Sequence, residues 1–506
     1  MRFLTSFFIL LLIVSCKQQK PAKDFLGVVD ISVSGKKSAQ PHFEKGLLLL
    51  HSFEYEDARE AFQEAQKEDP EMAMAFWGEA MTYNHSLWQD QDYEAASTVL
   101  TKLDNLNLEK TTSEIEQDLI ESVHILYQPK TEKNQRDLDY ANFMEGLNKK
   151  YPDNQEVAAF YALSLLGSVE EGRDDTIYGK GAKIAKGILK ENPNHPGALH
   201  YLIHSYDDPD HATLALDAAN AYSKVAPDAS HALHMPSHIY VAMGMWDNVI
   251  SSNIASYQAS LNRMKKKELD NDARGYHAFH WLEYGYLQIE NYEEAKKMVL
   301  DMESFASEKP SKKARVHLVF LKGTYLAETD DWKGDISNIP VDITDLNISV
   351  RSQYHFLEGM KAYKEGNSQK LDSVLNIMDQ DINRETFVIN EGSSKLCSNV
   401  SRDGATKTDL KESQIRQNQL LALQAEMENN QILAEEHFLK SITLENSISY
   451  SYGPPSIHKP THELYGDWLL SQKRNEEAGQ QYEIALKNGP KRFRALEGSE
   501  KAKQLL

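Results

Sequence analysis

Five residues recur at one spacing in two stretches about 420 residues apart, and no other feature constrains the chain as much. Gly46 is followed by Ala58, Phe62, Ala65 and Pro70; Gly466 is followed at the same intervals by Ala478, Tyr482, Ala485 and Pro490. The order small, small, aromatic, small, Pro suits two antiparallel helices. The small residues let the helices approach closely, the aromatic ring fills the space between one hairpin and the next, and Pro ends the second helix. A chain of 506 residues exceeds what one hydrophobic core organises, but a stack of hairpins escapes that limit because each contacts mainly its neighbours. With 41% hydrophobic and 26% charged residues there is enough apolar material to build such a stack, and too much for a disordered chain.

The rest of the sequence extends the pattern. Apolar residues recur three and four positions apart, with no sustained alternation, so an all-α fold is expected. Pro193 and Pro227 lie 34 residues apart and bracket a unit that starts at Pro196. The next starts at Ser230, with Gly244 and Trp246 at its positions 15 and 17. Weaker units open near Ala73, Glu121, Gln155, Tyr276, Val316, Ser352 and Ile415. The skeleton resembles the tetratricopeptide repeat over most of residues 39–500, which implies an α-solenoid of about eleven TPR-like hairpins. The expected divisions are a solenoid over 39–385, a polar loop or insertion over 386–410 that holds Cys397, and C-terminal hairpins over 411–506.

The N-terminus reads differently. Arg2, the apolar run Phe7 to Val14 and then Ser15-Cys16 form a secretory signal too short to span a membrane stably. Ile13-Val14-Ser15-Cys16 resembles a bacterial lipobox, which implies removal of residues 1–15 and lipidation of Cys16. Lys17 at the second mature position implies, by the same resemblance, an outer-membrane anchor facing the periplasm. The polar segment 16–38 is expected to be the tether. Once Cys16 is lipidated, Cys397 has no partner, so packing and not a disulfide must stabilise the fold. A net charge of −21 without any basic block excludes nucleic acid as an expected partner.

Chemistry concentrates in the histidines. The span His195 to His238 is far richer in them than the rest of the chain. The segments around His200-Tyr201-Leu202-Ile203-His204 and His231-Ala232-Leu233-His234-Met235-Pro236-Ser237-His238, with Asn84-His85-Ser86-Leu87-Trp88 and Tyr452-Gly453-Pro454-Pro455, resemble hallmark segments of bacterial repeat-containing secreted proteins and lipoproteins, for which no activity is established. In repeats of this type, positions 2, 5, 9 and 12 face a concave groove, and those spacings form one stripe on a helix. His200, His204 and Asp207 then stand at positions 5, 9 and 12 of one unit; His231, His234 and His238 at 2, 5 and 9 of the next; His277 and His280 at 2 and 5 of the one after. His317 stands at position 2 of the unit that opens at Val316. Imidazole and carboxylate in this pattern suit a divalent transition-metal ion, with His200, His204, Asp207, His234 and His238 as its expected ligands and His200 and His234 on the same ion.

The bland alternatives are a polar peptide-binding stripe, turn chemistry for Asp207, Asp208, Asp210 and His211, and a solvated acidic terminus for Glu463 and Asp467. His200 and His204 do not complete the metalloprotease helix motif, since Tyr201 stands where that motif has Glu. No phosphate-binding glycine loop, nucleophile elbow or CxxC pair occurs, and no catalytic residue is assigned. The functional reading is a membrane-anchored periplasmic scaffold that binds a protein or peptide of the cell envelope through its histidine-rich groove. The alternative is a metal-binding protein or metal-dependent hydrolase.

Overall fold

The computed structural model describes residues 25–391 and 404–506. The signal segment, Cys16 and Cys397 lie outside these residues. The described chain is an all-α solenoid with TPR-like hairpins. Ten complete pairs succeed one another: 40–51 with 55–68, 73–81 with 93–104, 114–126 with 133–150, 155–167 with 175–191, 196–205 with 216–225, 230–242 with 246–267, 276–288 with 292–308, 348–364 with 368–391, 407–427 with 431–445, and 461–471 with 475–488. Besides the single turn Leu108–Thr111, two longer helices stand unpaired, against the expected eleven hairpins. Lys312–Thr329 is followed by a 3-10 turn and irregular chain in place of a second helix, and Phe493–Gln504 ends the array. Among the described residues no helix is long and apolar enough to cross a membrane.

The signature residues act as the spacing demands. A Cβ on Gly46 would lie 2.7 Å from the Phe62 ring, and one on Gly78 would lie 2.4 Å from it, so the ring is clasped between glycines of successive hairpins. Tyr482 is clasped in the same way by Gly466 and Gly498. Phe62 and Tyr482 are both fully buried.

The stack curls until its ends meet, in two turns. In the N-terminal turn the first hairpin touches the fifth and sixth: the Tyr222 hydroxyl donates to Ser52 Oγ at 3.1 Å, Glu54 accepts from Ser230 Oγ and His231 N at 2.8 and 2.9 Å, and Arg263 pairs with Asp57. In the C-terminal turn the last helices return to the sixth and seventh hairpins. Trp246 Nε1 donates to the Lys491 carbonyl, and the Phe493 amide to Gln288 Oε1. The apolar core divides accordingly, one cluster running from Leu26 to Val249 with Trp281 and Tyr284, another from Tyr276 to Ala502.

Two expectations change. Residues 25–38 do not hang free as a tether. Leu26 is buried, and backbone amides of Phe25, Val28, Ser34 and Lys36 donate to Asp228, the Asn194 carbonyl, Glu116 and Asp69, so the segment straps several hairpins together. Polar composition misled because those amides find partners at the ends of helices. Both edges of the expected loop 386–410 are helical. The helix Ser368–Glu391 continues through 391, held by Asp381 and Glu385 against Arg351, and the next starts at Lys407 with a capping box between Thr406 and Asp409.

Candidate metal centre

The closure of the N-terminal turn puts the histidine stripe inside the molecule. His200 and His204 stand one turn apart on the helix Pro196–Ser205, whose start is fixed by Pro196 and by His195 Nδ1 accepting from the Ala198 amide. Pro236 breaks the following helix into Ser230–His234 and Pro236–Ala242, so His234 and His238 flank the break. His277 comes from the helix Tyr276–Gln288. The rings form a continuous cluster, with centroids 4.9 Å apart for His200 and His204, 5.0 Å for His200 and His231, 5.2 Å for His204 and His238, 5.2 Å for His234 and His238, and 4.6 Å for His234 and His277.

The expected open groove is not where these rings lie. His200 is fully buried, and His204, His234 and His238 are 6% exposed or less. Only His231, half-buried, and His277, exposed, reach the rim. The array closes on itself here, and the segment after Glu445 folds over the cluster. Tyr452 sits 5.4 Å from His238 and 6.3 Å from His204, and Gly453 is pressed so closely on Trp281 that a Cβ would clash at 2.3 Å. His280 does not join. It faces away, with Nε2 at 2.8 Å from the Thr324 hydroxyl, and His317 bonds the Lys313 carbonyl.

The hydrogen bonds set the tautomers. His200 Nδ1 donates to the His51 carbonyl at 2.7 Å, an atom that only accepts. His234 Nδ1 donates to Asn253 Oδ1 at 2.7 Å, and that amide is oriented by its own donation to the Val249 carbonyl. Both Nδ1 of His204 and Nδ1 of His238 donate to Asp207 Oδ2, at 3.2 and 3.1 Å. A neutral ring with its proton on Nδ1 carries its lone pair on Nε2. The Nε2 atoms of His200, His204, His231 and His234 are buried with no hydrogen-bond partner among the described residues.

Electrostatics keep His200, His231 and His234 neutral. Burial and then the neighbouring imidazoles push His200 and His231 well below the ordinary histidine range, and the same causes push His234 down to about 3 against the opposing bond from Asn253. Burial alone would raise Asp207, but the bonds from His204 and His238 outweigh it and hold the carboxyl at about 2. Its other oxygen is 3.3 Å from Arg173. Asp207, expected as a ligand, thus lies on the Nδ1 side of the rings and positions them, as carboxylates behind metal-bound histidines do. The neighbouring Asp208 is turn chemistry, accepting from the amides of Asp210 and His211.

Phe53, His51, Glu156 and His195 were not singled out from the sequence. Phe53 packs on His200 at 4.3 Å and on His231 at 5.7 Å. It has φ 54°, at a turn where later repeats place Gly244, Glu290, Gly366, Asn429 or Lys473. A bulky aromatic at a left-handed turn position that other repeats give to Gly or to polar residues was the signal. Behind it, Glu156 lies 2.7 Å from His51 and 3.2 Å from His195, all three fully buried. Burial would raise Glu156, but the two imidazoles hold it at about 2. Nothing in the local periodicity marks these three, which come together from three different hairpins. The segment with His85 and Trp88 also reaches the rim, Trp88 lying 6.0 Å from His231.

No protein-family model matches the chain, and no curated protein matches it. Among solved structures it is similar to yeast Tom70 at 12% identity, covering 92% of this chain and 89% of that one, with a TM-score of 0.32. The human IFIT1 dimer with m7Gppp-AAAA is similar at 12% identity over 90% and 94%, with a TM-score of 0.38. The P58(IPK) TPR domain is similar at 14% identity over 92% and 98%, with a TM-score of 0.21. With every one of these TM-scores below 0.5, none superposes on this chain as a whole.

Proposed function

We propose that this solenoid is a metal-binding protein whose interior histidines hold transition-metal ions. One observation carries the reading: four imidazoles present buried Nε2 atoms without partners among the described residues while fixed acceptors or packing hold the rings in place. An unsatisfied buried acceptor costs about 1–3 kcal/mol, and four in one place are hard to explain without a ligand that takes their lone pairs. Neutral imidazole nitrogen suits Zn, Cu, Fe and Ni. Three protein ligands leave a coordination position open, as a catalytic site requires, but no general base stands out among the neighbours that would commit the site to hydrolysis.

The test is elemental analysis of the full-length chain purified without chelator and offered Zn, Mn, Fe, Ni and Cu in turn. Retention near or above one equivalent of at least one ion is expected. Less than about a tenth of an equivalent of each would sink the reading.

A protein-binding role rests on the repeat architecture, which presents extended helical faces, and it belongs to surfaces outside the histidine interior. We further propose that the protein is a lipid-anchored protein of the bacterial envelope, attached through Cys16; the support is the sequence around that cysteine. Fatty-acid label that persists after Cys16→Ala would refute the anchor.

A further inference from the structure

Resting on the metal reading above, we infer that the interior is a two-ion centre. His200, His204 and His231 hold one ion, His234, His238 and His277 hold the second, and Asp207 positions one imidazole of each set. Within each trio the ligand atoms lie within 4.8 Å of one another, and no such set contains residues from both outer members, His231 and His277. Two nitrogens on one ion at bonds of about 2.1 Å stand at most about 4.2 Å apart, so six rings spread along this cluster exceed what one ion gathers and match two sites with small adjustments of χ angles.

The construction of the trios is parallel. Each uses a pair four residues apart, His200 with His204 and His234 with His238, plus one histidine nearer the surface. The two sets face each other, with His204 5.2 Å from His238 and His231 6.0 Å from His234. Asp207 Oδ2 accepts from His204 of the first trio and His238 of the second, so one carboxylate fixes the Nδ1 side of both. This changes the pairing expected from repeat position, because His200 and His234, both at position 5, fall in different trios.

The donors also define the class of ion. Each site offers three imidazoles and no carboxylate oxygen, which disfavours Mg, Ca and Mn and favours copper or zinc. The third possible grouping, His204, Asp207 and His238, would place a single ion on the Nδ1 side. There Arg173 already sits against the other oxygen of Asp207, a cation where a second cation would have to approach.

The experiment measures copper and zinc stoichiometry separately on the full-length protein, by elemental analysis and intact-mass spectrometry under native conditions. About two equivalents of copper or of zinc are expected in the wild type. His231→Ala and His277→Ala alter the two least buried ligands, and each is expected to lower the count to about one, with the double variant near zero. Asp207→Asn keeps an acceptor for both Nδ1 protons and is expected to retain about two equivalents at an affinity about 10–100-fold weaker. One equivalent in the wild type that Asp207→Asn abolishes would overturn the two-ion centre in favour of the Nδ1-side ion. One equivalent lost equally in either histidine variant would overturn it in favour of a single shared site. No equivalents would overturn the metal reading itself, and circular dichroism of each variant separates ligand loss from unfolding.

Discussion

The two turns of the solenoid each bury a polar network, and the two networks are finished differently. In the C-terminal turn Arg492 is buried between Glu328 and Glu463, which pair with it, and it also donates to the Tyr284 hydroxyl and the His458 carbonyl. Glu463, read from sequence as part of a solvated acidic end, is fully buried there because the last helix folds back onto the seventh hairpin. In the N-terminal turn His200, His204 and His234 are anchored through Nδ1, and among the described residues their Nε2 atoms have no hydrogen-bond partner. A network in which a buried cation is paired with two carboxylates is a clasp, even though one oxygen of Glu328 has no hydrogen-bond partner among the described residues. One whose acceptors are aligned and bare is prepared for something that is not protein.

The largest effect expected from this contrast is in the clasp. Arg492→Met leaves two buried carboxylates without their cation and should cost about 3–5 kcal/mol in chemical denaturation. It should not change metal stoichiometry. A loss of metal with little loss of stability would show that the two networks do not have separate roles.

The next effect concerns the histidines. Added copper or zinc should raise the unfolding free energy of the wild type by about 2.7 kcal/mol at a hundredfold excess over the dissociation constant. The His200→Ala, His234→Ala double variant, with one ligand removed from each trio, should lose that increment. If calorimetry shows the same metal-dependent gain in both proteins, the bare imidazoles are not the site.

The smallest effect probes an exception within the C-terminal turn. Glu283 is fully buried with neither carboxylate oxygen bonded, and burial, with Glu328 nearby, pushes its pKa well above the ordinary value of about 4.5. A raised carboxyl pKa means that the folded state holds a proton that the unfolded state releases. Its stability is therefore complete below about pH 4.5 and is lost as pH rises toward the folded value. Glu283→Gln should remove that loss, raising stability at pH 8 by about 1 kcal/mol and leaving it unchanged near pH 4. Equal shifts at both pH values would mean that Glu283 is not protonated in the fold, and that bare buried acceptors are commoner here than the histidine reading allows.

The hairpins were legible because their determinants are local. Gly46 and Phe62 lie 16 residues apart in the chain and touch in the structure, so spacing alone reports their contact. The parts of the site that lie on consecutive hairpins were legible for the same reason: His200, His204, His231, His234, His238 and His277 follow from repeat phase and do converge. His280 failed the same rule, since its helix turns it toward Thr324. The role of Asp207 could not be read from sequence, because a carboxylate three residues after a histidine looks the same whether it meets the ion or the ring; in the fold it accepts from the rings of His204 and His238.

The sequence by itself determined the all-α repeat, the residues clasped between hairpins and the histidine stripe, because each depends on helical periodicity and on neighbours within a unit or two. Tertiary structure alone decided that the stripe is interior and not the floor of an open groove. That depends on the small rotation between successive hairpins, which accumulates over five or six of them until His51 and Phe53 reach His200 and the segment with Tyr452 closes over His238. No single unit encodes that sum. Contacts between residues some 150 to 210 positions apart therefore bury the stripe and bond His200 Nδ1, whereas His204, His234 and His238 find their Nδ1 partners within 31 positions.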